Sequence, residues 1–186
     1  WAAGGDAARV QRVAPGQTLP DLAPLERLAV CAFDDVSSIV RRSVWEQHRV
    51  LHRRFGEDVA FARSLIEAGH AIVFAPRSVV IHSHDDGALA EFKRIYLDHA
   101  NLHDLFGILT VPTARDAWRN SRAQFGVYRQ MIAELEPPEG RREELSWFAL
   151  RYAFAETFAQ WLGARSIRKA PPRGVFGAIE RFVAGR

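Results

Sequence analysis

The sequence predicts an α/β part followed by an all-helical part, with the change near Asp86. Before that point, short apolar runs bounded by glycine or proline, such as 71–75 and 78–81, indicate strands. From Ala88 onward, apolar residues recur at the spacing of helix faces. A chain of 186 residues is long enough for a small domain with a helical extension. We therefore expect an α/β fold followed by an α-helical C-terminal extension.

Within the α/β part, breakers and periodicity mark the expected elements. A helix is expected from residue 57 to 68, because Gly56 precedes its apolar face and Gly69 is a natural stop. A shorter helix is expected to start at Ser43, which has a glutamate three residues later in capping-box spacing. Four short apolar runs predict strands, at residues 28–33, 37–40, 71–75 and 78–81.

The predicted domain organisation has three regions. Residues 1–27 are rich in alanine, glycine and proline and are expected to form a lead-in loop. Residues 28–86 form the α/β part, and residues 87–186 form the helical extension with a basic tail. The expected helices of this extension cover residues 88–106, 114–134 and 141–162, with a short last helix ending near Val183.

Charge is concentrated at the C-terminal end of the sequence. Six basic residues and one glutamate give residues 163–186 a net charge of +5, so residues 1–162 carry −2 of the total of +3. A basic tail can contact an anionic membrane, and a solvated charged end is the alternative. The acidic balance of the remainder argues against a nucleic-acid partner. Cys31 is the single cysteine, which excludes an intramolecular disulfide.

Three stretches hold the residues that could carry chemistry. They read FDDVSSIVRRSVWEQ at 33–47, FGEDVAFARSLIEAGHAIVFAP at 55–76 and RSVVIHSHDDG at 77–87. As a set, over about residues 28–107, they resemble the second half of the catalytic domain of family 2 glycosyltransferases, especially bacterial rhamnosyltransferase-like members. The resemblance implies a partial GT-A fold in the α/β part. It also implies inverting transfer of a sugar from a nucleotide-sugar donor to a glycan or lipid-linked acceptor, as in cell-envelope polysaccharide biosynthesis.

By this resemblance, Asp58 is the expected catalytic base and Glu57 its neighbour, which positions the acceptor or the loop. Inverting transfer needs a group that takes the proton of the acceptor hydroxyl, and a carboxylate at a helix start suits this role. The alternative is structural, because acids in a first helical turn complement the helix dipole by about 0.3–1 kcal/mol.

The histidines after the last expected strand are the predicted metal ligands. His82 directly follows that strand, and His84 is the alternative ligand or a contact to the diphosphate. By resemblance, a histidine here holds the divalent cation, Mn²⁺ or Mg²⁺, that neutralises the diphosphate leaving group. Asp34 and Asp35 are expected to contact the acceptor or the metal, or to be loop acids.

Three further side chains complete the expected site. Arg94 and Lys93, in the first helix of the extension, are expected to approach the donor diphosphate, since arginine suits phosphate oxygens. Trp45 is either a platform for a sugar ring or a core aromatic. The aromatic stripe from Trp147 to Trp161 predicts packing on the catalytic part, a homodimer or contact with a membrane surface.

An Asp-x-Asp motif and a donor-binding half are absent from the sequence, although the resemblance would require both. The expectation is therefore a piece of a longer cytoplasmic enzyme that is inactive alone, with peripheral contact at the inner face of the cell membrane as an extension of that view.

Two other functions compete with this interpretation. One is a non-catalytic helical adaptor or membrane-contact module. The other is a metal-dependent hydrolase, because His82, His84 and Asp86 match the start of the metallo-β-lactamase His-x-His-x-Asp-His motif. Gly87 stands in place of its last histidine. A second pair, His99 and His103, has zinc-binding spacing but lacks the adjacent glutamate of zinc proteases.

Overall fold

The computed structural model describes residues 7–50, 52–82, 87–168 and 174–184. The chain forms two compact units, residues 1–84 and 85–186. It is about 65% helical and 4% strand. Across the described ranges, strand pairing is confined to one two-stranded sheet. The predicted α/β fold of GT-A type is therefore wrong, because that fold needs a multi-stranded sheet.

The first unit combines short helices with this small sheet. Strand β1 pairs antiparallel with β2, and Val10 lies opposite Val73. Two 3₁₀ turns, Leu19–Asp21 and Asp35–Ser37, lie between the regular elements. In chain order, those elements are β1 (Arg9–Gln11), α1 (Pro24–Val30), α2 (Arg42–Gln47), α3 (Glu57–Glu67) and β2 (Ile72–Phe74).

The strand expected at residues 28–33 is wrong, because helix α1 covers its first half. Pro24 stands in the first turn of α1, and the Glu26 carboxylate accepts the Ala23 backbone N–H at 2.8 Å. Both features favour helix initiation. At the other end, the buried Gln11 amide donates to the carbonyl oxygens of residues 29, 30 and 32 at 3.2, 3.1 and 2.8 Å. These bonds satisfy carbonyls that a helix end leaves unpaired.

The strands expected at residues 37–40 and 78–81 are also wrong. Ser37 lies in a 3₁₀ turn, and residues 78–81 lie outside the sheet. The hydroxyls of Ser37 and Ser78 are 3.1 Å apart. A strand is stabilised by its neighbour, and the neighbour of β2 is β1, in the region expected to be a lead-in loop.

Helices α2 and α3 confirm two of the predictions for the first unit. Helix α2 starts at Arg42, one residue before the expected start, and α3 begins directly after Gly56. The apolar face of α3 is buried through Phe61, Ala62, Leu65 and Ile66. Gly69, at φ +83°, ends the turn that follows α3, a conformation that glycine adopts without steric cost.

The described residues of the second unit form four helices joined by short loops, and the four expected helices are confirmed. Helix α6 packs along both α4 and α5. Helix α6 is longer than the range expected from the sequence. The bounds are α4 (Ala88–Phe106), α5 (Ala114–Glu134), α6 (Glu139–Arg168) and α7 (Gly174–Ala184).

Helices α4 and α6 cross at a glycine. A Cβ on Gly163 would lie 2.2 Å from the backbone oxygen of Tyr96, which is itself fully buried. Tyr96 also donates its hydroxyl to Glu180 of α7. No helix within the described residues is long and apolar enough to cross a membrane.

Candidate functional site

Three carboxylates meet at one place in the first unit. Asp34, Asp35 and Asp58 each offer an oxygen atom, and these atoms all lie within 4.8 Å of one another. Asp34 and Asp35 are exposed, whereas Asp58 is half-buried at the start of α3. We call these three residues the acidic cluster. It joins the predicted base to the two predicted loop acids across more than twenty positions of sequence.

Aromatic packing explains why these acids meet. Phe61 lies one turn after Asp58 on α3 and makes edge-to-face contacts with Phe33 and Trp45, at centroid distances of 6.1 and 5.9 Å. Phe33 immediately precedes Asp34, so its contact with Phe61 brings the loop acids to the start of α3. Phe61 is the organising residue, and in the sequence it is only one member of the apolar face of this helix. Its spacing of three residues from Asp58 was the available signal.

Burial and neighbouring charge act on Asp58 in the same direction. Burial raises the pKa of Asp58, and the negative charges of Asp35, Glu57 and Asp34 raise it further. The Val59 backbone N–H, which donates to the Asp58 carboxylate at 2.7 Å, opposes this rise. A carboxylate with a raised pKa holds a proton more readily than an ordinary aspartate, which is the property of a general base.

The acidic cluster fits a hard divalent cation. An all-oxygen set of ligands suits Mg²⁺ or Mn²⁺, and octahedral Mg²⁺ at about 2.1 Å from each ligand needs neighbouring oxygens about 3–4 Å apart. The oxygens of the acidic cluster all lie within 4.8 Å of one another. The Asp34 carboxylate is held by the Val36 backbone N–H at 3.0 Å, which limits its motion.

Of the two predicted histidine ligands, His82 is within the described residues. His82 is exposed and does not belong to the acidic cluster, which is the only three-ligand group among the described residues. His84 and Asp86 lie outside the described residues. Glu57 is exposed beside Asp58 at the start of α3. The structure thus brings Asp34 and Asp35, rather than His82, to the predicted base.

The predicted diphosphate residues belong to the second unit, where both have intramolecular contacts. The Arg94 guanidinium forms an ion pair with Glu91, which is buried. The Lys93 ammonium lies 4.5 Å from the ring centroid of Phe182 on α7. Glu91 was not expected from the sequence, and the three-residue spacing to Arg94 was the signal for this pair.

The second histidine pair of the hydrolase interpretation, His99 and His103, has contacts within the second unit. His99 is largely buried, and burial lowers its pKa to about 4. A ring nitrogen of His103 lies 3.2 Å from the backbone oxygen of Ile108. Neither histidine belongs to a three-ligand group among the described residues.

Trp45, expected to be either a sugar platform or a core aromatic, is neither fully buried nor fully exposed. Its ring packs against Phe61 on one side, and 38% of the residue remains exposed. The Arg49 guanidinium lies 5.8 Å from the Trp45 ring centroid. The Trp45 ring is thus packed on one side and partly open to solvent.

Comparison with protein-family models, with characterised proteins and with solved structures yields no match for this chain. The chemistry assigned to it rests on the acidic cluster and on the residues that hold the cluster together.

Proposed function

We propose that this chain supplies the acceptor side of an inverting glycosyltransferase, with Asp58 as the general base. The observation that carries the proposal is the acidic cluster, in which burial and two adjacent carboxylates raise the pKa of the residue expected to accept the proton. The partly exposed Trp45 ring, which packs on the same Phe61 that organises the cluster, provides an apolar surface for a sugar ring.

In the proposed reaction, Asp58 takes the proton from an acceptor hydroxyl as the hydroxyl oxygen attacks the anomeric carbon of the donor. The new carbon–oxygen bond forms as the bond to the nucleoside diphosphate breaks, and the configuration at the anomeric carbon inverts. Asp34 and Asp35 are the residues that would hold a divalent cation. When bound, that cation stabilises negative charge on the diphosphate leaving group.

Exposed apolar side chains of the first unit are consistent with the proposal that a donor-binding part packs against it. Ile39 and Ile81 are fully exposed, and Val79 is largely so. Their segments adjoin one another where the hydroxyls of Ser37 and Ser78 meet. Adjacent exposed apolar residues of high strand propensity are typical of surfaces that pair with or pack on another part of a protein.

The test is donor turnover in the full-length natural protein that contains this chain. Release of nucleoside diphosphate is measured over a panel of nucleotide sugars with Mn²⁺ and an oligosaccharide or lipid-linked acceptor. D58N should lower kcat by at least a hundredfold with little change in the KM for the donor, in keeping with loss of a general base. E67Q is the matched control, because Glu67 is an exposed carboxylate of the same helix outside the acidic cluster, and it should keep most of the activity. Equal losses in both variants would remove Asp58 from its proposed role.

A membrane-contact role is the second candidate, favoured by helix α5. Its exposed arginines recur at helical spacing and so form one stripe, and the flanking Trp118 is 54% exposed. Basic residues beside an interfacial tryptophan are typical of helices that contact anionic lipid. The stripe consists of Arg115, Arg119, Arg122 and Arg129.

Liposome flotation tests this candidate. Vesicles of phosphatidylcholine with phosphatidylglycerol should carry the chain upward, whereas vesicles of phosphatidylcholine alone should not. The double variant R119E/R122E should abolish flotation, and R63E, on a helix of the other unit, should not. Absence of flotation on the anionic vesicles would reject the membrane-contact role.

A further inference from the structure

Two histidines of the first unit point their Nε2 atoms at each other. His48 follows the last residue of α2, and His70 follows Gly69 after α3. The two Nε2 atoms are 3.2 Å apart, the ring centroids are 5.0 Å apart, and the ring planes are inclined by 82°. Both side chains are half-buried. This pair is separate from the acidic cluster in composition, because it offers nitrogen rather than oxygen.

The spacing distinguishes two arrangements of the rings. In a straight hydrogen bond the ring axes are collinear, and a nitrogen separation of 3.2 Å would place the centroids about 5.5 Å apart. The observed centroid separation of 5.0 Å means that the ring axes depart from the line between the two nitrogens. The two nitrogens therefore need not face along one line, and they can face a common point beside them.

A metal ion at that point would have ordinary bond lengths. With about 2.05 Å from the metal to each nitrogen, a nitrogen separation of 3.2 Å corresponds to an N–metal–N angle of about 103°, close to tetrahedral. The same construction puts the ring centroids about 5.0 Å apart, which is the observed value. The two distances thus agree with one bridging position.

We propose that His48 and His70 form a binding site for a zinc-like divalent cation, with water completing the coordination shell. Imidazole nitrogens suit Zn²⁺, Ni²⁺ and Cu²⁺, whereas Mg²⁺ and Mn²⁺ prefer the oxygens of the acidic cluster. His70 also borders an open cavity of about 410 Å³, together with Glu67. Two protein ligands make this an exchangeable site rather than a closed structural one.

The proposed ion would join α2 to the segment after α3. Helix α2 carries Trp45, which packs on Phe61 of α3, so the ion would add a second link between the same two helices. A ligand that binds only the folded state raises its stability. The melting temperature of the chain should therefore rise with Zn²⁺ concentration and return to its initial value after EDTA is added.

Calorimetric titration of Zn²⁺ into the EDTA-treated chain tests the site. We expect one ion per chain, and the variants H48Q and H70Q should each weaken binding at least tenfold. Glutamine keeps a hydrogen-bonding side chain of similar length. H52Q, an exposed histidine of the same unit, and D58N, in the acidic cluster, are controls that should bind Zn²⁺ as the unmodified chain does.

A measurement on the unmodified chain guards against misfolded variants. Nitrogen-15 NMR of the imidazole rings should show that Zn²⁺ shifts the Nε2 resonances of His48 and His70 together. Resonances that stay in place at saturating Zn²⁺ would overturn the proposal. Loss of Zn²⁺ binding in D58N, with binding retained in H48Q and H70Q, would overturn it as well, because the ion would then belong to the acidic cluster.

Discussion

Replacing Asp58 by asparagine should stabilise the folded chain at neutral pH. Burial and nearby carboxylates raise the pKa of Asp58 above its ordinary 3.8. The folded state therefore holds this proton more tightly than the unfolded state. By linkage, the free energy of unfolding falls as pH rises from about 3.8 through the folded-state pKa. Asparagine removes that loss, and its side-chain oxygen can still accept the Val59 N–H.

The size of the gain follows from the geometry of the acidic cluster. Oxygens within 4.8 Å of one another imply a repulsion of about 0.9 kcal/mol for each charge pair at the dielectric constant of water. Asp58 has two such neighbours, and both are exposed, so salt and water reduce the sum. We expect D58N to raise the free energy of unfolding by about 1 kcal/mol at pH 7.5 and low salt.

Urea unfolding of both chains between pH 3 and pH 8 measures this difference. The gain should shrink toward zero near pH 3, where Asp58 is protonated in both states, and it should shrink in 1 M salt. D21N is a control of opposite sign. Asp21 accepts two hydrogen bonds from Thr18, which lower its pKa, so this variant should lose stability at pH 7.5. The reasoning is refuted if D58N is less stable than the unmodified chain at pH 7.5. It is also refuted if D58N is more stable than the unmodified chain by the same amount at every pH.

Three further predictions concern packing and burial, each measured by urea unfolding. G163A should destabilise the second unit by about 1–3 kcal/mol, because its Cβ would overlap the Tyr96 backbone oxygen. G126A, at an open helical position, should stabilise it by about 0.5–1 kcal/mol. Similar effects of the two variants would contradict the close approach of α4 and α6. Burial lowers the pKa of His99 to about 4, so the free energy of unfolding should fall by up to about 3 kcal/mol as pH drops from 6.5 to 4. H99Q should lack this pH dependence. The same pH dependence in H99Q would show that it comes from other residues. Q11A should cost about 1–3 kcal/mol, since its amide holds three carbonyls at the end of α1, and an unchanged midpoint would show that water replaces it.

Prediction of the helices succeeded where the signal lies within one segment. The apolar face of α3 and the four helices of the second unit repeat every three to four residues, and glycines or prolines mark several of their ends. Prediction of the strands failed at 28–33, 37–40 and 78–81, since those short apolar runs match a strand and a buried helix or loop equally well. The predicted GT-A sheet was therefore wrong as well, because it depended on these strands.

The sequence indicated the acidic residues of the candidate site but not which of them meet in space. Asp58, Asp34 and Asp35 could be selected as acids in suggestive positions, but their meeting depends on Phe33 and Trp45 packing against Phe61. The pairing of His48 with His70 had no signal in the sequence, because the two residues are separated by 22 positions and belong to no motif.

Local periodicity and breakers were sufficient to specify α3 and the four helices of the second unit, because each helix closes its hydrogen bonds within one segment. Tertiary structure alone decided which apolar runs pair as strands, which carboxylates share a site and which histidines face each other. Those outcomes depend on contacts between distant segments, where burial and charge act only after the chain has folded.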